Sequence, residues 1–133
     1  KVIVGRDCRI GPNCYLRGAT SIGNGCHIGQ SVEIKNSILM DDVWIAHLSY
    51  CGDSIVGAHT KFGAGCVTAN YRHDAQVHRS MIRGALVATG RLKFGAIVGD
   101  GVHLGIHTGI YPGRKIWPGV CTRPGTMVKK DLH

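Results

Sequence analysis

The chain has 133 residues, 44% of them apolar and only 6% aromatic, with 20 glycines and a net charge of +8. That length suits one domain, with no apolar run long enough to span a bilayer and no signal-peptide pattern. Nucleic acid would call for a continuous basic stripe with stacking aromatics. Here Arg and Lys are scattered and concentrate only between Arg72 and Lys93, which favours a small phosphorylated ligand or a nucleotide-bearing cofactor over a polyanion.

From the N-terminus an aliphatic residue recurs every six positions, at Val4, Ile10, Leu16, Ile22, Ile28, Ile34 and Met40, and the register runs on to Ala46. Glycine follows it at Gly5, Gly11, Gly23 and Gly29, and a small inward candidate sits four places on, at Cys8, Cys14, Thr20, Cys26 and Val32. A hexapeptide period is the signature of a parallel β-helix, with three hexapeptides to each triangular coil. The expected fold is therefore all-β, with residues 1–133 as a single domain and residues eighteen apart sharing a column. Lys1 falls in mid-repeat, as expected of a fragment or of a chain that lacks an upstream domain. Cys8, Cys14, Cys26 and Cys66 take the small inward slot and the chain has no CxxC pair, so they read as small hydrophobes in a reduced, cytoplasmic protein.

In the slot after the aliphatic residue, where glycine is usual, stand Arg17, Lys35, Asp41, His47 and Asp53. Arg17, Lys35 and Asp53 are eighteen apart and are expected in one column on successive coils. Strands in adjacent coils lie about 4.8 Å apart, a spacing at which two cations repel unless an anion joins them. A bound phosphate or the Asp53 carboxylate would serve equally, and spacing leaves both open. With a tyrosine three residues on, a register break directly after it and the cationic column nearby, His47 is the best general-base candidate among the eight histidines.

The register resets at 53–55 and restarts at Val56, Phe62 and Thr68, with glycine again at Gly57 and Gly63. Residues 71–96 lose the beat and read as an excursion, a loop or hairpin leaving the tube; one this long is more often functional than idle. The beat returns at Val98, Leu104, Ile110, Ile116, Thr122 and Val128, with Pro118 and Pro124 weakening the last coil and Arg114 in an inward slot.

The segments His47-Leu48-Ser49-Tyr50-Cys51-Gly52-Asp53, Phe62-Gly63-Ala64-Gly65 and Thr68-Ala69-Asn70-Tyr71 resemble the acetyltransferase domain of bifunctional sugar-1-phosphate nucleotidyltransferase/acetyltransferases. The tract from Thr89 to Asp100 is similar to the archaeal-type branch, which carries a comparable insertion. The resemblance covers nearly the whole chain. It implies a left-handed β-helix, a homotrimer, acetyl-CoA as co-substrate without a metal, and an amino-sugar phosphate such as glucosamine 1-phosphate as acceptor. Carried over by position, His47 matches the catalytic base. Arg17, Lys35, Tyr50, Lys61, Asn70 and Tyr71 match the substrate site, and Ala64, Gly105, Ile106, Arg123 and Pro124 the acetyl-CoA contacts. Lys61 and Ile106 replace the family's asparagine and serine. The family's lysine just beyond the Asn-Tyr pair has no clear counterpart, although Gln76 and Arg79 fall in that region and Lys93 comes later. No nucleotidyltransferase domain is present in these residues. Two other readings compete: a γ-carbonic-anhydrase-like metalloenzyme, for which His73 and His78 would be two ligands, and a non-catalytic trimerisation or regulatory β-helix.

Overall fold

The computed structural model describes residues 1–133 and contains no helix long and apolar enough to cross a membrane. Short parallel strands build three faces of a tube. The first holds six strands: Val2–Val4, Thr20–Ile22, Ile38–Leu39, Ile55–Val56, Ala96–Val98 and Arg114–Ile116. The second holds five: Arg9–Ile10, His27–Gln30, Trp44–His47, Lys61–Phe62 and His103–Leu104. The third again holds six: Tyr15–Leu16, Glu33–Lys35, Tyr50–Gly52, Val67–Thr68, Gly109–Ile110 and Met127–Val128. The parallel β-helix expected from the hexapeptide beat is the fold observed.

Strands this short cannot bury a core by themselves, so each coil covers the inward residues of the next. Ile22, Ile28, Ile34, Ile45, Val56, Val98, Ile110 and Ile116 are all 2% exposed or less. Cys26 and Cys66 fill small inward slots, Cys51 takes an aliphatic one, and burial pushes the Cys51 thiol up to about 12, which keeps it neutral. Val4 and Ile10 keep the beat but stay partly open at the uncovered end of the tube.

The register differs from the sequence expectation in one instructive way. Ile22 pairs with Leu39, Ile28 with Ile45 and Ile34 with Cys51, so the inward residues are Leu39 and Ile45 rather than Met40 and Ala46. Two corners, not one, are a residue short: those at Asn36 and Asp53, between the third and first faces. Serine fills the inward slot at each. The Ser37 hydroxyl donates to the Lys35 carbonyl and accepts from the Ser54 N–H, at 2.8 and 3.1 Å. Ser54 repeats the pattern, donating to Gly52 and accepting from Ala96 at 2.7 and 2.9 Å. These hydroxyls satisfy backbone groups that the shortened turn would leave buried and unpaired. As a result Asp41, His47 and Asp53 stand one place beyond the glycine slot, which Met40, Ala46 and Gly52 occupy.

The excursion leaves this same corner after Asn70 and re-enters at Gly95. Ala96 already belongs to the first face and is fully buried, so the insertion ends one residue earlier than the sequence reading. Strands Arg79–Ile82 and Ala85–Ala88 form an antiparallel hairpin whose Arg83-Gly84 turn has φ of 47° and 82°, the left-handed pair a tight two-residue turn needs. An antiparallel bridge between Tyr71 and Lys93 closes the base. The hairpin is moored where the Phe94 ring meets His78 edge-on at 6.2 Å, with His78 2% exposed.

The register itself is testable by urea denaturation. Leu39→Ala removes a side chain only 2% exposed and is expected to cost about 2–5 kcal/mol, whereas Met40→Ala, at a half-exposed position, is expected to stay within about 0.5 kcal/mol. The reverse order would reinstate Met40 as the inward residue.

Candidate functional site

The sequence-predicted residues fall into two groups, one at each end of the third face. At the corner with the first face, Arg17, Lys35, Tyr50, Asn70 and Tyr71 line a cavity of about 480 Å³, and Lys93 joins them. Lys93 is the residue that sequence reasoning noted without assigning it to the site. It lies far from Asn70 along the chain, and only the bridge to Tyr71 returns it to the corner. The arrangement is a cluster of three cations with two tyrosines and an amide.

Asp53 organises it. Its carboxylate accepts from the Lys35 ammonium at 2.9 and 3.2 Å, from the Asn36 amide at 2.7 Å and from the Asn70 amide. Burial opposes ionisation, but the hydrogen bonds from Asn36, Lys35 and Asn70 outweigh it and hold Asp53 below its ordinary value. Its side chain is only 4% exposed. Of the two ways to relieve the Arg17–Lys35 repulsion, the chain's own carboxylate is thus already in place beside Lys35. Arg17 pairs with Glu33 at 2.8 Å, and that contact raises its pKa. Lys93 forms no ion pair.

Tyr50 crosses the third face toward this cluster. Its hydroxyl oxygen accepts from the Asn70 amide at 3.0 Å, which leaves its own hydrogen free to donate. Burial is the leading reason that its pKa is raised. The ring occupies space that only a glycine can leave, because a Cβ on Gly52 would stand 2.2 Å from the Tyr50 hydroxyl oxygen.

The second group stacks at the corner between the second and third faces. His47 is exposed and pairs in register with Gln30. Below it come Ala64, Ile106 and Pro124, linked by bonds from His107 N–H to the Ala64 carbonyl and from Gly125 N–H to the Ile106 carbonyl, both 2.8 Å. Gly105 and Arg123 precede Ile106 and Pro124 in the same column. In the Gly63-Ala64-Gly65 turn the outer two N–H groups are engaged, at 2.8 and 3.4 Å, so Ala64 alone has a free amide. His47 does not line the cationic cavity. Lys61 joins neither corner: it stands on the second face, its ammonium 5.5 Å from the Trp44 ring centre. His73 and His78 do not converge either, for His78 is buried against Phe94, and no three His, Cys, Asp or Glu side chains stand close enough to hold a metal.

With this geometry in hand, the family model for the GMPPB C-terminal domain matches residues 1–111. The chain belongs to that family. It is 41% identical over 122 residues to the bifunctional sugar-1-phosphate nucleotidylyltransferase/acetyltransferase of Sulfurisphaera tokodaii, a match that covers 92% of this chain and 30% of that protein. It is 40% identical over 124 residues to the bifunctional protein GlmU of Methanococcus vannielii, over 93% of this chain and again 30% of that protein. The GMPPB-type chain thus spans under a third of these relatives' length, and the acetyltransferase resemblance read from its motifs is borne out. Among solved structures it shares its fold with a variant of the N-acyltransferase AntD of Bacillus cereus, bound to coenzyme A and dTDP-4-amino-4,6-dideoxyglucose. That match has TM-score 0.75 and 18% identity, and covers 97% of this chain and 73% of that one. It also shares the fold of PerB of Caulobacter crescentus, solved with CoA and GDP-perosamine, at TM-score 0.74 and 20% identity over 98% of this chain and 51% of that one.

The Asp53 network sets a pH dependence of stability. Because its folded pKa lies below the unfolded 3.8, its contribution is complete above that value and is lost as pH falls through the lower folded one. Urea midpoints between about pH 2 and 5 are expected to fall more steeply for the wild type than for Asp53→Asn. Parallel acid limbs would show that the carboxylate is not held in this way.

Proposed function

We propose that this domain, residues 1–133, transfers an acetyl group from acetyl-CoA to the amine of an amino-sugar phosphate such as glucosamine 1-phosphate, as a homotrimer in the cytoplasm. The observation that carries the reading is the convergence of Arg17, Lys35, Lys93, Tyr50 and Asn70 on one cavity at the end of the face that begins with His47. The names of the curated relatives support it, as do the CoA and amino-sugar nucleotides in the two structural neighbours.

In this reading Arg17, Lys35 and Lys93 hold the phosphate by charge-assisted hydrogen bonds, with Lys35 kept in position by Asp53. Tyr50 and Asn70 contact the sugar, which runs along Tyr50 toward His47. Tyr71 walls the cavity. His47 takes a proton from the amine as its nitrogen attacks the thioester carbon, and the Ala64 N–H faces the developing oxyanion. As the carbonyl re-forms, the C–S bond breaks and CoA leaves as the thiol, carrying the proton that His47 held. Acetyl-CoA lies along the column of Ala64, Gly105, Ile106, Arg123 and Pro124, so donor and acceptor meet at the His47 corner. Holding two reactants in register supplies much of the acceleration. In a trimer the neighbouring subunit completes the groove beside this corner. The buried thiols suit a reducing compartment.

The test is acetyl-CoA turnover with glucosamine 1-phosphate, read by mass spectrometry because six thiols would confuse a thiol reagent. His47→Ala is expected to lower kcat about 10²–10⁴-fold. Lys93→Ala is expected to raise the acceptor KM about 10- to 100-fold with little change in the acetyl-CoA KM, as for one lost charge-assisted contact. Equal rates for wild type and His47→Ala would remove the base. No turnover with any amino-sugar phosphate would remove the reading.

A further inference from the structure

A second cavity of about 640 Å³ opens on the same corner, one step further along the tube, and Tyr71 lines both. The register places Ala69, Tyr111 and Lys129 in the column that began with Arg17 and Lys35, since Thr68 pairs with Ile110 and Ile110 with Val128. Lys35 and Lys129 stand four coils apart, about 19 Å. That span is too long for a hexosamine phosphate and suits an extended ligand.

The lining has the chemistry of a nucleotide site. Tyr71 and Tyr111 are about half exposed, at 49% and 46%, and offer ring faces to a base. Arg72 is neutralised by Asp74, so the net positive charge comes from Arg114 and Lys129. Lys129 has no ion pair. Arg114 meets Asp131 only at 3.8 Å, and Asp131 is shared with Lys115 at 3.7 Å. The position of Arg114 is the second, independent sign. It pairs in register with Ala96, which is fully buried and continues the inward column of Thr20, Ser37 and Ser54, so the chain gives up a small inward slot to bring a guanidinium out into this cavity. Such an exchange forfeits core packing and is hard to account for by solubility alone.

We propose that this cavity binds the nucleoside diphosphate of a nucleotide-linked amino sugar, so that the acceptor site extends from Lys35 to Lys129. The base stacks on Tyr71 and Tyr111, Arg114 and Lys129 meet the phosphates, and the amino sugar continues past Tyr50. The proposal rests on the acetyltransferase reading above and extends its acceptor from the amino-sugar phosphate to the nucleotide-linked amino sugar. The nucleotide end of acetyl-CoA is the other source of such chemistry, but the residues read as its contacts stack on the opposite corner.

Calorimetry on the full chain with UDP, dTDP, GDP, inorganic phosphate and adenosine 3′,5′-bisphosphate tests it. At least one nucleoside diphosphate is expected to bind about tenfold or more tighter than inorganic phosphate. Tyr111→Ala and Lys129→Ala, both at exposed positions, are each expected to weaken it about tenfold, the loss of one stacked base or charged contact, with the acetyl-CoA KM unchanged. Nucleoside diphosphates no tighter than phosphate, or indifferent to both substitutions, would overturn the proposal. So would the bisphosphate displacing the nucleoside diphosphate while Tyr111→Ala raises the acetyl-CoA KM, since the cavity would then belong to the donor. Acetylation of an amino-sugar 1-phosphate without nucleotide binding sinks this inference and leaves the activity standing. Nucleotide binding with no acetylation of any amino sugar does the opposite.

Discussion

Backbone hydrogen bonds between successive coils decide where every side chain of the candidate site stands. At the cationic corner Arg17 N–H donates to the Ile34 carbonyl, Asp53 N–H to Lys35 and Gly95 N–H to Asp53, at 2.8, 2.8 and 2.9 Å. A ladder this short and regular leaves a residue no freedom to move along its column, so side chains on successive coils meet at the inter-coil spacing whatever their charge. Packing enforces the same register from inside, because a slip of one residue would turn the buried aliphatic set outward. The cationic corner is thus a by-product of the core, and its chemistry lies in which residues the ladder stacks.

The one-residue shortening at Asn36 and Asp53 turns that constraint into a site. In an unshortened coil, Asp53 would fall directly over Lys35 in the glycine slot. In the observed register Gly52 takes that place, and Asp53 approaches the ammonium from the side while Tyr50 lies across the vacated space. Gly95 completes the arrangement, since a Cβ there would come within 2.0 Å of the Gly52 carbonyl oxygen. Lys35 is therefore held by protein groups before any ligand arrives, with its side chain 17% exposed. A ligand phosphate at this corner does not have to order a flexible lysine, and that ordering otherwise offsets much of the gain from an ion pair. Lys93, unpaired and carried by the excursion, complements it as the cation free to adjust.

The tube was legible in the sequence because its signal is one-dimensional: an aliphatic residue every six positions can hardly serve anything but a hexapeptide coil. Arg17 and Lys35 were legible for the same reason, as departures from a strict pattern. Met40 was misread because the chain offers Leu39 and Met40 side by side. Periodicity cannot tell which of two adjacent aliphatics turns inward once a corner loses a residue, although the pairing of that loss with an inward serine at Ser37 and Ser54 is a usable signal. Lys93 was left unassigned for a different reason. Its place depends on an antiparallel bridge across the base of an insertion, and no fixed spacing encodes that.

The position of the excursion follows from the same corner. A solenoid accepts an insertion where the backbone already turns and few ladder bonds are interrupted, and this corner is also where shortened turns have handed their bonds to serine hydroxyls. Ser54 Oγ accepts from Ala96 N–H, so the first strand after the insertion docks on a side chain already fixed to Gly52. Re-entry is therefore specified on both sides, by Gly95 against Asp53 and by Ala96 against Ser54. An insertion with a fixed exit and a fixed return can carry Tyr71 and Lys93 to one corner even if the hairpin tip moves. This lets a narrow tube, whose own corners expose only a few side chains per coil, build a cavity deeper than its repeats alone could line.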